Sequence, residues 1–394
     1  MTGDVQAKIG LFSAFPLEYY GGGERFVIRL ANELSNRGFA PTLLADSDSG
    51  TEERVSRERL SEMLGVEYRR IPYIEPSQAP VWRALFTRLP SPKEFLSFDA
   101  SLVIANRIPP PSYLLRLRAI RRPVCFMFHG IQVARMERDN PLSAAYSVYL
   151  RMGFLVTSPF YRAAKVWMQL VTPEAGEIVS SLGIPSGIIR VITNAIDPSP
   201  FSVGRNDANF DIVFIGRIVD IQKGTSFLAK VVEELDKIRL SKLSVTIVGS
   251  GPGARDLQSR LSGIEIARFV GQASEPEKLS ILNAANLMLS TSRIDPFPVT
   301  VLEGLFSGLP VVATSSGGSR FMLSKNESLG NVVELSPKAF VSRIRHFWQS
   351  WKANPASYYQ GKLARRQMGL DYFSLEQMYV AYAALVQDLL ETRR

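Results

Sequence analysis

Cysteine and histidine are scarce in this chain: one Cys, Cys125, and two His, His129 and His346, among 394 residues. A single thiol cannot close an internal disulfide, and no Cys/His set has the spacing of a structural zinc site, so the chain reads as a protein of a reducing compartment. Long apolar runs are also missing: no 18-residue uncharged apolar stretch occurs, and Met1–Gly10 lacks a basic cap followed by an apolar core. The sequence therefore reads as neither secreted nor membrane-spanning. Low-complexity tracts and repeats of 20 to 50 residues are absent too, which excludes a solenoid. What is present is ordinary globular composition, 46% hydrophobic and 21% charged, over a length that suits two domains.

Negative charge is in deficit, and locally so. Residues 101–172 carry ten Lys and Arg, among them Arg116, Arg118, Arg121, Arg122, Arg151, Arg162 and Lys165, against Glu137 and Asp139 alone; this is +8 of the net +9. Tyr146, Tyr149, Phe154, Phe160, Tyr161 and Trp167 lie in the same stretch. Such a mixture suits an anionic lipid surface or a polyanionic partner; the plainer reading is a solvated basic face. No nucleic-acid-binding motif accompanies it, and nucleic acid is not expected as a partner.

The hydrophobic pattern alternates between strand and helix periods. Lys8–Phe15 reads as a buried strand, followed by a loop over 16–23 and a helix marked by Phe26, Leu30 and Leu34, with Gly38 as its stop. Pro41–Ala45, Ser101–Ala105 and Val124–Phe128 read as further strands. After the Pro/Gly-rich segment 194–209 the rhythm restarts, with strands at 210–215, 243–248, 264–270, 287–290 and 311–313 and a helix over 225–240. The fold expected is α/β: two Rossmann-like, doubly wound parallel-sheet domains, 1–200 and 201–372, facing across a cleft, with a C-terminal helix at 373–394 packing back across the interdomain region.

Several residues fall where such sheets bind ligands. Gly21, Gly22 and Gly23 stand between the first strand and the first helix, where glycine and a helix start suit an anion. Arg217 follows the 210–215 strand and Lys223 opens the next helix, six residues on; together they could clamp a diphosphate, the arginine by its planar fork and the lysine as a point charge. Asp295 and Glu303, eight residues apart in RIDPFPVTVLEG, lie past a strand and inside the following helix. Both can reach one ligand, and their place on one wall suits hydroxyl recognition better than cleavage of a glycosidic bond. His129 follows the apolar strand VCFMF and should project at its carboxyl end. Two motifs carry less. Asp46-Ser47-Asp48 matches a metal-binding DxD pattern of only three residues, and Gly249-Ser250-Gly251-Pro252-Gly253 departs from the dinucleotide fingerprint GxGxxG by one place.

Taken together, GGGERF near the start, FHG at 128–130, ITNAID at 192–197, FIGRIVDIQKG at 214–224, VTIVGSGP at 245–252 and DPFPVTVLEGLFSGLPVVAT at 295–314 resemble the family 4 retaining glycosyltransferases of the GT-B fold. The resemblance implies a glycosyltransferase using a nucleotide-diphosphate sugar. Arg217 and Lys223 would bind the donor diphosphate, Asp295 the sugar hydroxyls and Glu303 the ribose. Phe297, Pro298, Val299 and Thr300 would line the donor site, Gly22 and Gly23 would form the glycine loop, and His129 would lie close to the transferred sugar. Aspartate at 295 stands where glutamate is usual in the family, and Pro298 occupies a place often held by glycine. The resemblance further implies no cofactor and no catalytic metal. The expected acceptor is a lipid-linked glycan or polysaccharide precursor, reached from the cytoplasm with peripheral contact of 101–172 on an anionic membrane face. A nucleotide-sugar epimerase on the same fold, or a non-catalytic carbohydrate- or nucleotide-binding homologue, are the alternatives.

Overall fold

The computed structural model describes residues 6–19, 22–47, 55–74, 88–105, 107–129 and 141–392. It divides into two compact units. Among the described residues, one comprises those up to 129 with 148–193 and 376–392, the other 141–147 and 194–375.

The first unit is built on β1 (Lys8–Ser13), β2 (Ala40–Asp46), β3 (Glu67–Ile71), the short pair β4 (Tyr73–Ile74) and β5 (Leu89–Pro90), then β6 (Ala100–Ile104), β7 (Val124–Phe128), β8 (Trp167–Leu170) and β9 (Ile189–Val191). Seven of these form a sheet in the order β3-β2-β1-β6-β7-β8-β9, with every neighbouring pair parallel; β4 and β5 pair antiparallel. All residues of β6, β7 and β8 are buried, the pattern of strands covered on both faces by crossover helices. The Gly22–Asn36 helix contributes Val27, Leu30, Ala31 and Leu34, each fully buried, at the three- and four-residue spacing that puts them on one side.

The Leu375–Glu391 helix, last in sequence, packs on this first unit. Met378, Tyr382, Leu385, Val386 and Leu389 are buried, Glu376 pairs with Arg37 at 2.7 Å, and Asp388 accepts from Arg190 at 2.8 Å.

The second unit has β10 (Phe210–Ile215), β11 (Leu243–Val248), β12 (Ala267–Gly271), β13 (Leu287–Ser290), β14 (Val311–Thr314) and β15 (Gly330–Val333) in one parallel sheet ordered β12-β11-β10-β13-β14-β15. The Thr225–Lys237 helix supplies Phe227, Leu228, Val231 and Leu235 to a core shared with Phe210, Ile212 and Phe340. It stops short of the expected residue 240 because Arg239 adopts the left-handed conformation, φ 47°. The strand expected at 264–270 starts three residues later: Ile264 N–H bonds back to Leu261 carbonyl, so it belongs to the turn that closes the Ala254–Leu261 helix. The segment 194–209 is bound to the second unit. Trp351 Nε1 donates to the Asn206 carbonyl at 2.9 Å, and the buried ammonium of Lys362 donates to the carbonyls of Gly204 and Ala285 at 2.6 and 2.7 Å.

The basic stretch 101–172 is not one surface. It contains β6, β7 and β8, and Phe154, Tyr161 and Trp167, expected as part of a lipid-facing mixture, are core side chains with 6% exposure or less. Sequence could not separate them from Tyr149, which is at the surface, because both faces of the Pro141–Ala164 helix are apolar.

Candidate functional site

In the second sheet the chain runs from β10 outward through β11 to β12, then returns to the other side of β10 to lay down β13. Loops beyond the carboxyl ends of the strands at such a reversal form the binding crevice of doubly wound sheets. Here they are the segments after Ile215 and after Ser290, which hold most of the residues singled out above.

The first loop begins at Gly216, whose N–H donates to the Val248 carbonyl at 3.0 Å, and continues through Arg217, exposed, into a single helical turn, Asp220–Lys223. Gly224 closes that turn at φ 62°, where a Cβ would lie 2.2 Å from the Thr291 carbonyl oxygen. Both the dihedral and the contact require glycine. The two loops are then tied directly: the Thr291 hydroxyl donates to the Lys223 carbonyl at 2.8 Å, and Arg293 N–H donates to the Gln222 carbonyl at 2.8 Å.

This knot sets the closest charged contact of the site. Lys223 Nζ meets Asp295 Oδ2 at 2.5 Å, with the side chains 14% and 9% exposed. Two opposite charges largely withdrawn from water compensate each other, and removing one would strand the other. The segment after Asp295 is held from beneath by Gly318, whose N–H donates to the Asp295 carbonyl at 3.2 Å. A Cβ on Gly318 would fall 2.5 Å from Pro298 Cδ and 2.6 Å from the Pro296 carbonyl oxygen, so any side chain there would lift the loop.

Pro298 then caps the Val299–Phe306 helix, in which Val299 is exposed, Thr300 is half-buried and Glu303 is buried. Glu303 Oε1 lies 2.7 Å from Lys278 Nζ, and Glu275 Oε2 lies 3.1 Å from the same ammonium. Burial works to lower the Lys278 pKa, but the two carboxylates outweigh it and raise it above the usual lysine value. Asp220 shows the same balance with the sign reversed: burial opposes ionisation, yet the bonds it accepts from Ser226 hold its carboxyl below the ordinary range. Phe297 is the exception among the expected donor-site residues. Its side chain, 4% exposed, packs between the rings of Phe321 and Phe373 at 6.4 and 6.2 Å, so it supports the loop from the core.

In the first unit, His129 follows β7 directly, as its sequence position implies. Its Nε2 is 3.0 Å from the hydroxyl of Tyr382 on the C-terminal helix, and its ring lies 4.5 Å from that of Phe26. Burial pushes its pKa down to about 4, against the opposing effect of Gln169. The imidazole is neutral at pH 7. Gly22 and Gly23 do not form a loop: they are the first residues of the Gly22–Asn36 helix, while Gly21 lies outside the described residues. A Cβ on Gly23 would meet no atom of the described residues within 4 Å. Asp46 is 1% exposed and pairs with Arg88 at 3.1 Å; Asp48 lies outside the described residues.

Lys278 and Tyr382 carry no mark of function in the sequence. Lys278 sits in the unremarkable run EPEKLSILNA, and Tyr382 is more than 250 residues from the histidine it touches. The one signal for Tyr382 is a polar aromatic on the inward stripe of an amphipathic helix, a position that demands a hydrogen-bond partner.

Residues 20–200 match the family described as Glycosyltransferase Family 4, and residues 209–350 match Glycosyl transferases group 1. One component of the human phosphatidylinositol N-acetylglucosaminyltransferase is 28% identical over 144 residues, which are 35% of this chain and 29% of that protein. The putative colanic acid biosynthesis glycosyltransferase WcaL of Escherichia coli K12 is 24% identical over 267 residues, 64% of this chain and 62% of that one. The chain thus spans less than two thirds of the length of either relative. Among solved structures, Anabaena HepE in complex with UDP superposes with a TM-score of 0.69 at 14% identity, covering 97% of this chain and all of that one. The sucrose-phosphate synthase of Thermosynechococcus elongatus does so with 0.69 at 16%, covering 98% and 100%. With both parallel sheets accounted for and the two family matches together spanning most of its length, the chain belongs to the group 1 / family 4 glycosyltransferases and has their GT-B fold.

Proposed function

We propose that the chain is a retaining glycosyltransferase, taking a sugar from a nucleotide-diphosphate donor held by the second unit and passing it to an acceptor held by the first. The observation that carries this reading is the Lys223–Asp295 contact at the strand-order reversal, with Arg217 exposed on the same loop. A diphosphate arriving there would compete with the Asp295 carboxylate for Lys223. The exchange hands the ammonium to the leaving phosphate and frees Asp295 to accept from sugar hydroxyls. Glu303, held by Lys278, would accept from the ribose, and the N–H groups at the start of the Val299–Phe306 helix would face the donor.

The first unit supplies a neutral imidazole, His129, and the helix start at Gly22 and Gly23. At Gly23 neither a neighbouring atom of the described residues nor a positive φ demands glycine, which suits close approach of a ligand. In this mechanism the acceptor hydroxyl attacks the anomeric carbon on the face the nucleotide leaves. A donor phosphate oxygen takes its proton, and the nucleoside diphosphate departs onto Arg217 and Lys223. Cations and helix starts carry the developing charge, so the reaction runs without a metal ion or cofactor. The HepE structures with UDP, and with UDP and glucose, support a nucleotide-sugar donor. The exposed cations of 101–172, among them Arg116, Arg118, Arg121, Arg162 and Lys165, support a lipid-linked glycan or polysaccharide precursor as acceptor, met at the cytoplasmic face of a membrane.

A thermal-shift panel of UDP, GDP, ADP and TDP sugars, with and without EDTA, tests the donor half. A ligand at 100 times its Kd adds about 2.7 kcal/mol of stability. The expected result is a shift for one nucleotide class, unchanged by EDTA and reduced in Lys223→Ala. A shift that vanishes with EDTA sinks the metal-free clamp, and donor converted to an isomeric sugar nucleotide without acceptor would replace transfer by epimerisation.

A further inference from the structure

Gln169 is a fully buried amide in β8, and both of its N–H groups are committed: Nε2 donates to the carbonyls of Leu170 and Ile192, each at 2.9 Å. These two bonds settle which end of the amide is which, because the reverse placing would set its oxygen against two carbonyl oxygens. Oε1 is therefore fixed on the other side, a buried acceptor to which no backbone N–H or hydroxyl of the described residues donates. The group it reaches is the ring of His129. Gln169 pairs in register with Met127, and His129 stands two residues beyond Met127, so strand alternation puts both side chains on one face of the sheet. Gln169 also favours the charged form of that ring, against the burial that disfavours it. A hydrogen bond acts in that direction only when the ring donates it, so the bond ends on Oε1.

A neutral imidazole has one N–H and one lone pair to place. Nε2 lies 3.0 Å from the Tyr382 hydroxyl, which can donate or accept, and the nitrogen left for Gln169 is Nδ1. We propose that Gln169 is a positioning residue that fixes His129 as the Nδ1–H tautomer, so that Nε2 accepts from the hydroxyl of Tyr382. In this tautomer every polar atom of the three side chains' shared contacts meets its complement. The reverse tautomer would turn the Nδ1 lone pair toward Oε1, two acceptors face to face in a buried place. A carboxylate at this position would draw a proton onto the ring, whereas an amide orients the ring and leaves it neutral. The consequence for substrate rests on the glycosyl-transfer reading above: a sugar oxygen that took the place of Tyr382 at Nε2 would have to donate, so the ring would select a hydroxyl there and disfavour an ether or carbonyl oxygen. The tautomer itself does not depend on that reading.

Nitrogen-15 NMR of the full chain labelled at histidine tests it, with no donor or acceptor added. Only His129 and His346 occur in the sequence, and His346→Gln, a change at an exposed residue, leaves one ring to observe. At pH 7, His129 is expected to show Nδ1 protonated and Nε2 unprotonated. Tyr382→Phe should leave that pattern in place, because the hydroxyl follows the tautomer. Gln169→Leu should lose it, both nitrogens moving toward the average of two exchanging tautomers. A protonated Nε2 in the wild type would overturn the proposal, and so would inversion of the tautomer in Tyr382→Phe or an undiminished Nδ1–H in Gln169→Leu. The leucine variant also lacks two bonds to backbone carbonyls; should it fail to fold, the wild-type and Tyr382→Phe spectra still decide. Because no substrate enters, a wrong tautomer leaves the nucleotide thermal shifts untouched, and a lack of any such shift leaves the tautomer standing.

Discussion

At the end of β7 a neutral imidazole sits among an aromatic ring and a tyrosine hydroxyl, whereas beyond β10 and β13 two lysines each hold a carboxylate within hydrogen-bond reach. The contrast lies in how each region avoids isolated buried charge. The second unit keeps its charges and compensates them in pairs, Lys223 with Asp295 and Lys278 with Glu303. The first discharges its histidine by burial and gives it only uncharged polar partners among the described residues, Tyr382 and Gln169. Paired charge can be re-partnered by an incoming anion, while a neutral ring can only orient and hydrogen-bond. A donor bearing negative charge therefore fits the second region, and the uncharged part of the reaction fits the first.

The strongest test of this contrast is at Lys223. Lys223→Ala removes the cation proposed to face the leaving diphosphate and should lower kcat about 100- to 1,000-fold, equivalent to ~2.7–4 kcal/mol, read in steady-state glycosyl transfer. Full activity in that variant would remove the second region from the chemistry.

Next in size is the acid limb of stability. His129 titrates at about 4 when folded, below its ordinary value near 6.5, so the unfolded chain binds the proton first as pH falls. Stability should decline between about pH 6.5 and 4 by up to ~3 kcal/mol from this group. Denaturant unfolding should show a shallower decline in His129→Gln than in the wild type over that window; parallel curves would mean the ring is not held neutral.

Lys278→Met should act through Glu303, leaving a buried carboxylate without its cation. Donor affinity is expected to fall about tenfold and stability by ~1–3 kcal/mol, with kcat for saturating donor changed far less. A loss confined to kcat would place Lys278 at the reacting atoms instead.

The smallest expected effect is that of Tyr382→Phe, which deletes one hydroxyl and keeps the ring. One hydrogen bond of ~1 kcal/mol predicts a few-fold drop in kcat/KM and a melting temperature lowered by no more than a few degrees. If kcat/KM is unchanged while stability falls, the His129–Tyr382 bond serves only to fasten the C-terminal helix.

The strands of the second sheet that sequence exposes most clearly, β10, β11, β13 and β14, are mostly apolar and buried, broken at most by single polar residues such as Asp211, Ser244 and Thr246. Strands such as β9 and β15, three and four residues long and half-exposed, offer too little period to read. The site divides the same way. Arg217, Lys223, Asp295 and Glu303 are legible because each follows a readable strand at short range. Phe297 lies in the same motif and reads as a donor contact, but its ring points into the core, a choice made by Phe321 and Phe373 and invisible in the order of residues.

Composition, strand–helix alternation and loop position thus determined, from sequence alone, two parallel sheets and the neighbourhood of the charged loops, because those signals are local in the chain. Tertiary structure alone decided which charges pair, that the last helix belongs to the first unit, and which side of the 141–164 helix is core and which is surface. Each of these depends on contacts between distant segments. A helix apolar all round carries no periodic mark of its buried side until a sheet packs against it.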